Sequence, residues 1–272
     1  MVHSNFIDMV LFYEQEGRMS DKRGNYARHA VIWDLEINKR SEVSDFYSGL
    51  ARKYGRKVLC LMCAVGTIAC SMVKKGFSVT AVDIEPEMIA AAKKNCPDSE
   101  NPLFLVGDVA DLHLPDNEYD FAFIGGSADF HHLLSEKEML RALSGIYNHL
   151  SGEGGLAFEL EYPADESWHS PGQRFDLAIP SETGIKAWKY GETSYEVATM
   201  LMHIKQEVFI EEKGEVDNFI HEFDFQLISR ETMQSLMKKA GFHVIKEYGS
   251  YDFSEWQPGA ERWIVEAVKE YK

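Results

Sequence analysis

Basic side chains and cysteine are scarce in this sequence. Its 272 residues include 28 Lys or Arg against 44 Asp or Glu, which gives a formal net charge of −16. A field of this sign repels phosphate backbones and anionic lipid, so nucleic acids and membrane surfaces are disfavoured as partners and a neutral or cationic small molecule is favoured. Four cysteines in so long a chain are too few for a secreted disulfide framework, and we expect them to be small buried residues.

Long apolar runs and several ligand motifs are missing as well. No run reaches transmembrane length, and residues 6–12 carry Asp8 and no cationic leader, so we expect a cytoplasmic protein. The cysteines lack the second Cys or His pair of a zinc site, and no acid pair suited to Mg²⁺ is present, so we predict no metal. The sequence also contains neither G-x-G-x-x-G nor G-x-x-x-x-G-K-[ST], and it therefore has no recognisable phosphate cradle.

The segment from residue 57 to residue 90 is the most informative part of the sequence. An apolar run at 58–61 gives way to a loop of small residues, and a helical pattern follows that Gly76 ends. A second apolar run at 79–82 ends on Asp83. This order of strand, tight loop, helix and strand is typical of a nucleotide-binding βαβ unit, in which an acid at the end of the second strand accepts hydrogen bonds from the ribose hydroxyls.

A second acid follows the next apolar run, at 103–106. Asp108 stands where its carboxylate can accept a hydrogen bond from the exocyclic amine of adenine, and Val109 can back the ring. An acid for the ribose and an acid for the base, without a phosphate cradle, suit an adenosine cofactor that carries no phosphate. The residues therefore favour S-adenosyl-L-methionine (SAM) over a dinucleotide.

Six motifs in this order make the sequence resemble the class I SAM-dependent methyltransferases. They are VLCLMCAVG at 58–66, VTAVDIEPEMI at 79–89, GDV at 107–109, YDFAFI at 119–124, DFHHLLS at 129–135 and LSGEGG at 150–155. Near the end, AGF at 240–242 and YGSYD at 248–252 resemble a bacterial small-molecule branch that includes sugar-amine and glycine-type N-methyltransferases. The resemblance covers roughly residues 25–270 and implies methyl transfer to a small-molecule acceptor, an amine or a hydroxyl.

Alternating strand and helix patterns predict an α/β protein with a doubly wound, Rossmann-like sheet. The family resemblance implies seven strands, mostly parallel, with an antiparallel β-hairpin insertion and an N-terminal helical lid. We expect one domain in four parts: a lid at 1–56, a cofactor-binding core at 57–160, a β-rich substrate insertion at 161–228, and a helix and strands at 229–272. The hairpin is expected to join two long runs at residues 211–214, and it could pair with a second copy to form a homodimer.

The family resemblance and the positions of the strand ends together identify the candidate site residues. The candidate general base is His132 or His131, since neutral imidazole suits proton removal near neutral pH, although either could instead bond only to loop backbone. The candidate cofactor-binding residues are Cys63, Ala64, Gly66, Asp83, Ile84, Asp108, Val109, Ile124, Tyr13 and Tyr26. The candidate substrate-binding residues of the insertion are Tyr162, Trp168, Arg174 and Trp188, whose aromatic members could equally pack the hairpin onto the sheet.

Two other functions stay open at the level of the sequence. Cys60 replaces an acid of the family's first motif, and Met62 and Ala64 replace two glycines. A protein that binds SAM without methyl transfer, and acts as a regulatory or scaffold partner, is therefore the alternative to an enzyme. A nicotinamide oxidoreductase is disfavoured because the glycine fingerprint is absent.

Overall fold

The computed structural model describes most of the chain after residue 40. The described residues are 30, 32–33, 41–96, 100–115, 117–126, 129–161, 174–177, 179, 181–260 and 262–270. Within them the helices are α1 (Ser41–Tyr54), α2 (Thr67–Lys74), α3 (Pro86–Asn95), α4 (Glu136–His149) and α5 (Arg230–Ala240). None of these helices is long and apolar enough to cross a membrane.

The described strands form two sheets. Their bounds are β1 (Lys57–Leu61), β2 (Ser78–Asp83), β3 (Leu103–Val106), β4 (Tyr119–Ile124), β5 (Leu150–Glu161), β6 (Arg174–Asp176), β7 (Ile185–Glu196), β8 (Leu201–Glu212), β9 (Glu215–Gln226), β10 (Phe242–Tyr248) and β11 (Arg262–Lys269). The large sheet has the order β10-β11-β5-β4-β1-β2-β3, with β11 antiparallel to both of its neighbours. This is the predicted Rossmann-like sheet.

The large sheet is buried on both faces because its central strands are apolar at successive positions. Leu59 and Leu61 of β1 pack in a core with α4 and α5, while Val58 and Cys60 pack in a second core with α1, α2 and α3. A parallel sheet covered by helices on both sides needs such continuous apolar strands. Each fully buried large side chain contributes roughly 1.5–3 kcal/mol.

Local signals in the sequence account for several helix ends. Ser135 accepts a hydrogen bond from the backbone N–H of Glu138 at 3.2 Å, as a capping residue does at the start of α4. Pro86 is the first residue of α3, where its missing N–H has no intrahelical partner to lose. Gly241 ends α5 with a φ of 94°, a left-handed conformation that favours glycine.

The small sheet has the order β6-β7-β8-β9 and is antiparallel throughout. The predicted hairpin is β8 and β9, joined by Lys213 and Gly214 with φ of 54° and 86°, the two positive values of a type I′ turn. The sequence did not predict β6 and β7. Strand β7 is half-exposed on both faces at several positions and contains Gly191, so it lacks a clear period of two.

One face of the small sheet is buried, and we call it the inner face. At one end of this face Val208, Ile210 and Phe219 pack with Ile32, from the described part of the N-terminal segment. At the other end Met202, Ile204 and Phe225 form a separate apolar cluster. The inner face therefore turns towards the rest of the molecule.

The cysteines differ in part from expectation. Cys60 and Cys63 take part in no disulfide among the described residues, but Cys70 and Cys96 are joined by a disulfide with their Cα atoms 6.2 Å apart. They lie in α2 and immediately after α3, two helices that pack on the same face of the sheet. The sequence could not predict this pairing because the two residues are separated by 26 positions.

Candidate functional site

A cavity opens at the carboxyl ends of the first strands of the large sheet, where ligands bind in open α/β sheets. It encloses about 770 Å³, part of it open to solvent. Its lining is mostly apolar, with a few acidic and imidazole side chains. The lining residues are Trp33, Met62, Ala64, Val82, Asp83, Ile84, Glu85, Met88, Gly107, Asp108, Val109, His132 and Leu133.

Asp83 ends β2 and is held by the backbone around it. Its Oδ2 accepts a hydrogen bond from the N–H of Ala64 at 2.7 Å, and its Oδ1 accepts one from Glu85 at 3.0 Å. Burial is the largest influence and raises the pKa of Asp83, while the N–H groups of Glu85, Ala64 and Ile84 oppose that rise. A carboxylate has more lone pairs than these N–H groups occupy, so Asp83 can also accept a hydrogen bond from a hydroxyl group in the cavity.

The loop after β1 adopts a shape that usually requires glycine. Met62, Ala64 and Gly66 have φ of 51°, 47° and 76°, all in the left-handed region. A Cβ atom on Gly66 would lie 2.8 Å from the ring of Phe104 and 2.9 Å from Ala92. Met62 and Ala64, which replace two glycines of the family motif, thus hold left-handed backbone, at a cost of roughly 1–2 kcal/mol for each side chain.

Asp108 is linked to Asp83 through the backbone between neighbouring strands. The N–H of Gly107 donates to the carbonyl of Asp83 at 2.9 Å, and Oδ1 of Asp108 accepts from Ala110 at 2.8 Å. Beside them Ile84 is 38% exposed, which is unusual for a large apolar side chain and leaves its surface available to the cavity. Both acids face one shared space.

The structure brings five predicted cofactor residues to the cavity wall, and three others lie outside the described lining. Ala64, Asp83, Ile84, Asp108 and Val109 line the cavity. Cys63, Gly66 and Ile124 do not appear in its described lining, and Ile124 is fully buried, with its carbonyl accepting from the hydroxyl of Tyr47 at 3.3 Å. The predictions for Tyr13 and Tyr26 lie outside the described residues, as do those for Tyr162 and Trp168.

The two histidines have different surroundings. His131 is fully buried, with Nδ1 2.9 Å from the carbonyl of Gln226 and Nε2 3.0 Å from the carbonyl of Glu161. Burial lowers its pKa, and the two carbonyl groups oppose this. A neutral imidazole donates only one of these bonds. Both ring nitrogens thus face backbone carbonyls at the ends of β5 and β9, and His131 is absent from the described cavity lining.

His132 lines the cavity and contacts the small sheet. Its ring centroid is 4.7 Å from that of Phe225 and 5.7 Å from that of Phe223. Burial, and then the charges of His221 and His131, lower the pKa of His132 to about 3. His132 is therefore neutral near pH 7, and it is the member of the predicted pair that borders the cavity.

Arg174 and Trp188 lie on the outer face of the small sheet. The guanidinium of Arg174 is 4.3 Å from the ring centroid of Trp188, which stacks on Phe209 at 5.5 Å. Trp188 pairs with Phe209 across the strands, whereas the next pair, Ala187 and Ile210, belongs to the inner face. The described cavity is not lined by either predicted residue, and their role in substrate binding stays a prediction.

A buried carboxylate adjoins the site at the end of β5. Glu159 accepts from the N–H of Gly126 at 2.6 Å and from the hydroxyl of Tyr251 at 2.6 Å, and it pairs with Arg262 at 3.0 Å. Burial raises the pKa of Glu159 to about 7, against the lowering effects of Arg262, Tyr251 and Gly126. The bond to Glu159 holds Gly126 in place, in the turn that follows β4 and precedes His132 in the chain.

Sequence reasoning missed several lining residues. Glu85, Gly107 and Leu133 stand next to predicted residues, and Met88 lies within the motif at 79–89, so proximity to the motifs was the available signal. Among the described residues, no three His, Cys, Asp or Glu side chains lie together as a metal site would require.

Comparison with known proteins relates this geometry to a family. Residues 58–154 match the family model of a methyltransferase domain. The Bacillus subtilis protein YqeM, named provisionally as a methyltransferase, is 24% identical over 216 residues, which are 78% of this chain and 84% of that protein.

Two solved structures with low sequence identity have the same fold. A SAM-dependent methyltransferase from Clostridium acetobutylicum superposes with a TM-score of 0.75 at 16% identity, over 90% of this chain and 99% of that one. The sugar N-methyltransferase KedS8 from Streptoalloteichus gives a TM-score of 0.72 at 16% identity, over 94% of this chain and 97% of that one.

The fold is that of the Rossmann-like methyltransferases. Residues 58–154 are a methyltransferase domain, and the chain is a SAM-dependent methyltransferase whose cofactor is S-adenosyl-L-methionine. The predictions of family, fold class, enzyme class and cofactor are therefore confirmed.

Proposed function

We propose that this enzyme methylates a small molecule at an amine nitrogen, with its cofactor held by Asp83 and Asp108. The observation that carries the proposal is that both carboxylates line one cavity at the ends of adjacent strands. An acid at the end of β2 suits the ribose hydroxyls, and an acid after β3 suits the amine of adenine. Ile84 and Val109 would cover the apolar faces between them.

The residues present fit an adenosine cofactor without phosphate. The loop at 62–66 keeps the left-handed course of a glycine-rich loop, and its N–H at Ala64 is already committed to Asp83. When bound, the cofactor supplies an electrophilic methyl group on a sulfonium centre. The chain has to align the acceptor with that group and exclude water, and alignment alone can supply roughly 7–11 kcal/mol of the barrier.

His132 supports an amine acceptor rather than an alcohol. Methyl transfer would leave the acceptor nitrogen with one surplus proton, which water can take, so an amine would need no strong base from the protein. A histidine whose pKa is about 3 can accept a hydrogen bond and orient a neutral amine, but it is a weak base for an alcohol. The name of KedS8, a sugar N-methyltransferase, agrees with nitrogen as the acceptor atom.

The four-part division of the chain remains part of this proposal. We assign residues 1–56 to a lid, 57–160 to cofactor binding, 161–228 to acceptor recognition and 229–272 to completing the sheet. A homodimer through β9, an outermost strand of the small sheet among the described residues, is also proposed. Size-exclusion chromatography with light scattering would give twice the chain mass if this is right, and the chain mass alone if it is not.

Calorimetric titration with S-adenosylhomocysteine tests the cofactor assignment. Asp83→Ala and Asp108→Ala each remove a carboxylate that would bond to the nucleoside, and hydrogen bonds to charged groups contribute about 1.5–3 kcal/mol, or roughly 10- to 100-fold in Kd. We expect both variants to lose at least that much affinity.

Asp120→Ala is the matched control for this titration. Asp120 also lies beside β1, and its Oδ2 accepts hydrogen bonds from the N–H groups of Arg56 and Lys57 at 2.8 Å each. It is absent from the described cavity lining. Its loss should lower stability and leave the Kd unchanged. Equal Kd values for Asp83→Ala and the natural protein would refute the assignment.

A further inference from the structure

Met62 stands where the family's first motif has a glycine, and it lines the cavity. Leu61, the last residue of β1, pairs with Val82 of β2 on one side and with Ile124 of β4 on the other. Met62 is therefore the first residue beyond β1. It lies between Asp83, which follows Val82, and the turn that follows Ile124.

This position lies between the two polar parts of the cavity. Asp83 and Asp108 line it on the side of β2 and β3, and His132 and Leu133 line it after β4. Because β1 is placed between β2 and β4 in the sheet, Met62 separates these two groups of lining residues. In the proposed function the acids hold the nucleoside and His132 borders the acceptor, so Met62 is the lining residue best placed to contact the alkyl group on the cofactor's sulfur.

The surroundings of Met62 restrict its movement. Its neighbour Leu61 belongs to the ladders of two strands, and the N–H of Cys63 donates to the carbonyl of Val82 at 2.9 Å. The side chain of Met62 is partly buried and packs against the apolar core under α4 and α5. Because protein interiors are close-packed, this side chain cannot withdraw into the core to make room for a larger ligand. A glycine at this position would leave the space to the ligand.

We propose that Met62 limits the size of the alkyl group that the bound cofactor can carry, and that it makes the site selective for a methyl group over an ethyl group. This inference rests on the proposed placement of the cofactor and adds a residue that determines specificity. One extra methylene group in an apolar pocket changes affinity by roughly 10- to 200-fold. Since a methionine side chain is flexible, we expect a difference near the lower end of that range.

Calorimetry with three ligands measures this selectivity without turnover. The ligands are S-adenosyl-L-methionine, S-adenosyl-L-ethionine and S-adenosylhomocysteine, which share the nucleoside and the amino acid and carry on sulfur a methyl group, an ethyl group and no further group. Each is titrated into the full chain without an acceptor. We expect the natural protein to bind the methyl compound roughly tenfold more tightly than the ethyl compound.

Substitutions at Met62 and a matched control assign the selectivity to this side chain. Met62→Ala should reduce the difference between the methyl and ethyl compounds to below about threefold, because it removes the part of the side chain that the extra methylene group would displace. Met62→Leu has a similar volume and should keep the difference. The control is Met88→Ala, which shortens a second methionine of the lining, on α3, where it packs with Val65. It should change the three affinities by one common factor.

The ratio of the two Kd values separates selectivity from packing. The thermal midpoint of Met62→Ala should fall in either case, since the side chain packs against the core. Met62→Gly is a second variant, which restores the family's residue and suits the φ of 51°. It should also remove the selectivity.

Three outcomes would overturn the inference about Met62. They are equal binding of the methyl and ethyl compounds by the natural protein, an undiminished ratio in Met62→Gly, and an equal loss of selectivity in Met88→Ala. Failure of all three ligands to bind, or binding that Asp83→Ala leaves unchanged, would instead refute the proposed placement of the cofactor. The two failures are thus distinct.

Discussion

At the scale of single residues, the buried charges beside the cavity are the groups most sensitive to substitution. Glu159 is fully buried, and its one ion-pair partner among the described residues is Arg262, which also bonds to Glu161. The sequence could suggest Glu159 as a polar member near the site. It could not show that a residue 103 positions later, Arg262, supplies the compensating charge.

Replacing Arg262 with Met should destabilise the protein by about 3–5 kcal/mol, because it leaves a buried carboxylate without its cation. The loss should be smaller at pH 6 than at pH 8. Glu159 has a raised pKa of about 7, and removal of Arg262 raises this pKa further. At pH 6 the Glu159 carboxylate of the folded variant therefore binds a proton, which removes the unpaired buried charge. Urea unfolding at both pH values measures this.

Two further variants check that reasoning about Arg262. The double variant Arg262→Met with Glu159→Gln should recover much of the loss. Arg141→Met removes an exposed guanidinium 3.5 Å from Asp111 and should cost about 0–1 kcal/mol. A loss for Arg262→Met that is the same at pH 6 and pH 8 would contradict the account.

His132 makes the opposite contribution to the pH dependence of stability. Its pKa is lowered to about 3, whereas an unfolded histidine titrates near 6.5. Stability is therefore lost as pH falls below about 6.5, because the unfolded chain binds the proton first. His132→Phe should remove about 2 kcal/mol of the stability difference between pH 6.5 and pH 5. An unchanged difference in urea unfolding, or an imidazole signal of His132 that titrates above pH 5 by NMR, would contradict this.

At the scale of elements, the loop after β1 shows where local sequence and local structure disagree. Met62 and Ala64 hold left-handed backbone that the family fills with glycine, and the fold keeps it because Asp83 bonds to the loop. The sequence predicted β1, β2 and α3 since their apolar runs and their caps agree with each other. It did not predict β7, whose pairing with β8 over twelve positions is a long-range contact without a strong local pattern.

Replacing Ala64 with Gly should stabilise the protein by about 0.5–1 kcal/mol. A left-handed Ala costs roughly 1–2 kcal/mol, and part of the gain is lost because the unfolded chain has more conformational entropy with Gly than with Ala. Ala91→Gly is the control, and this substitution should lower the stability. Ala91 lies inside α3, where Gly is less favourable than Ala by about 1 kcal/mol. Destabilisation by both variants in thermal unfolding would show that the loop is not strained.

At the scale of the whole molecule, the net charge of −16 opposes compaction through self-repulsion. The mostly parallel sheet and the two layers of helices follow from the alternation of elements and were predicted from it. The position of the small sheet could not be predicted, because it depends on apolar contacts between β8, β9 and Ile32 that no local pattern encodes.

The charge also predicts how salt affects unfolding. Raising NaCl from about 0.01 M to about 0.15 M shortens the screening length from about 30 Å to about 8 Å, so the thermal midpoint should rise. Choline chloride at the same ionic strength should have the same effect, because screening does not depend on the identity of the cation. A midpoint that stays constant or falls would contradict the expectation.

The central claim is that Asp83 and Asp108 bind the ribose and the base of the cofactor. A crystal structure of the protein with S-adenosylhomocysteine tests it most directly. We predict both ribose hydroxyls within about 2.5–3.0 Å of the Asp83 carboxylate and the adenine amine beside Asp108. A nucleoside bound with its ribose turned away from Asp83, or outside this cavity, would contradict the account.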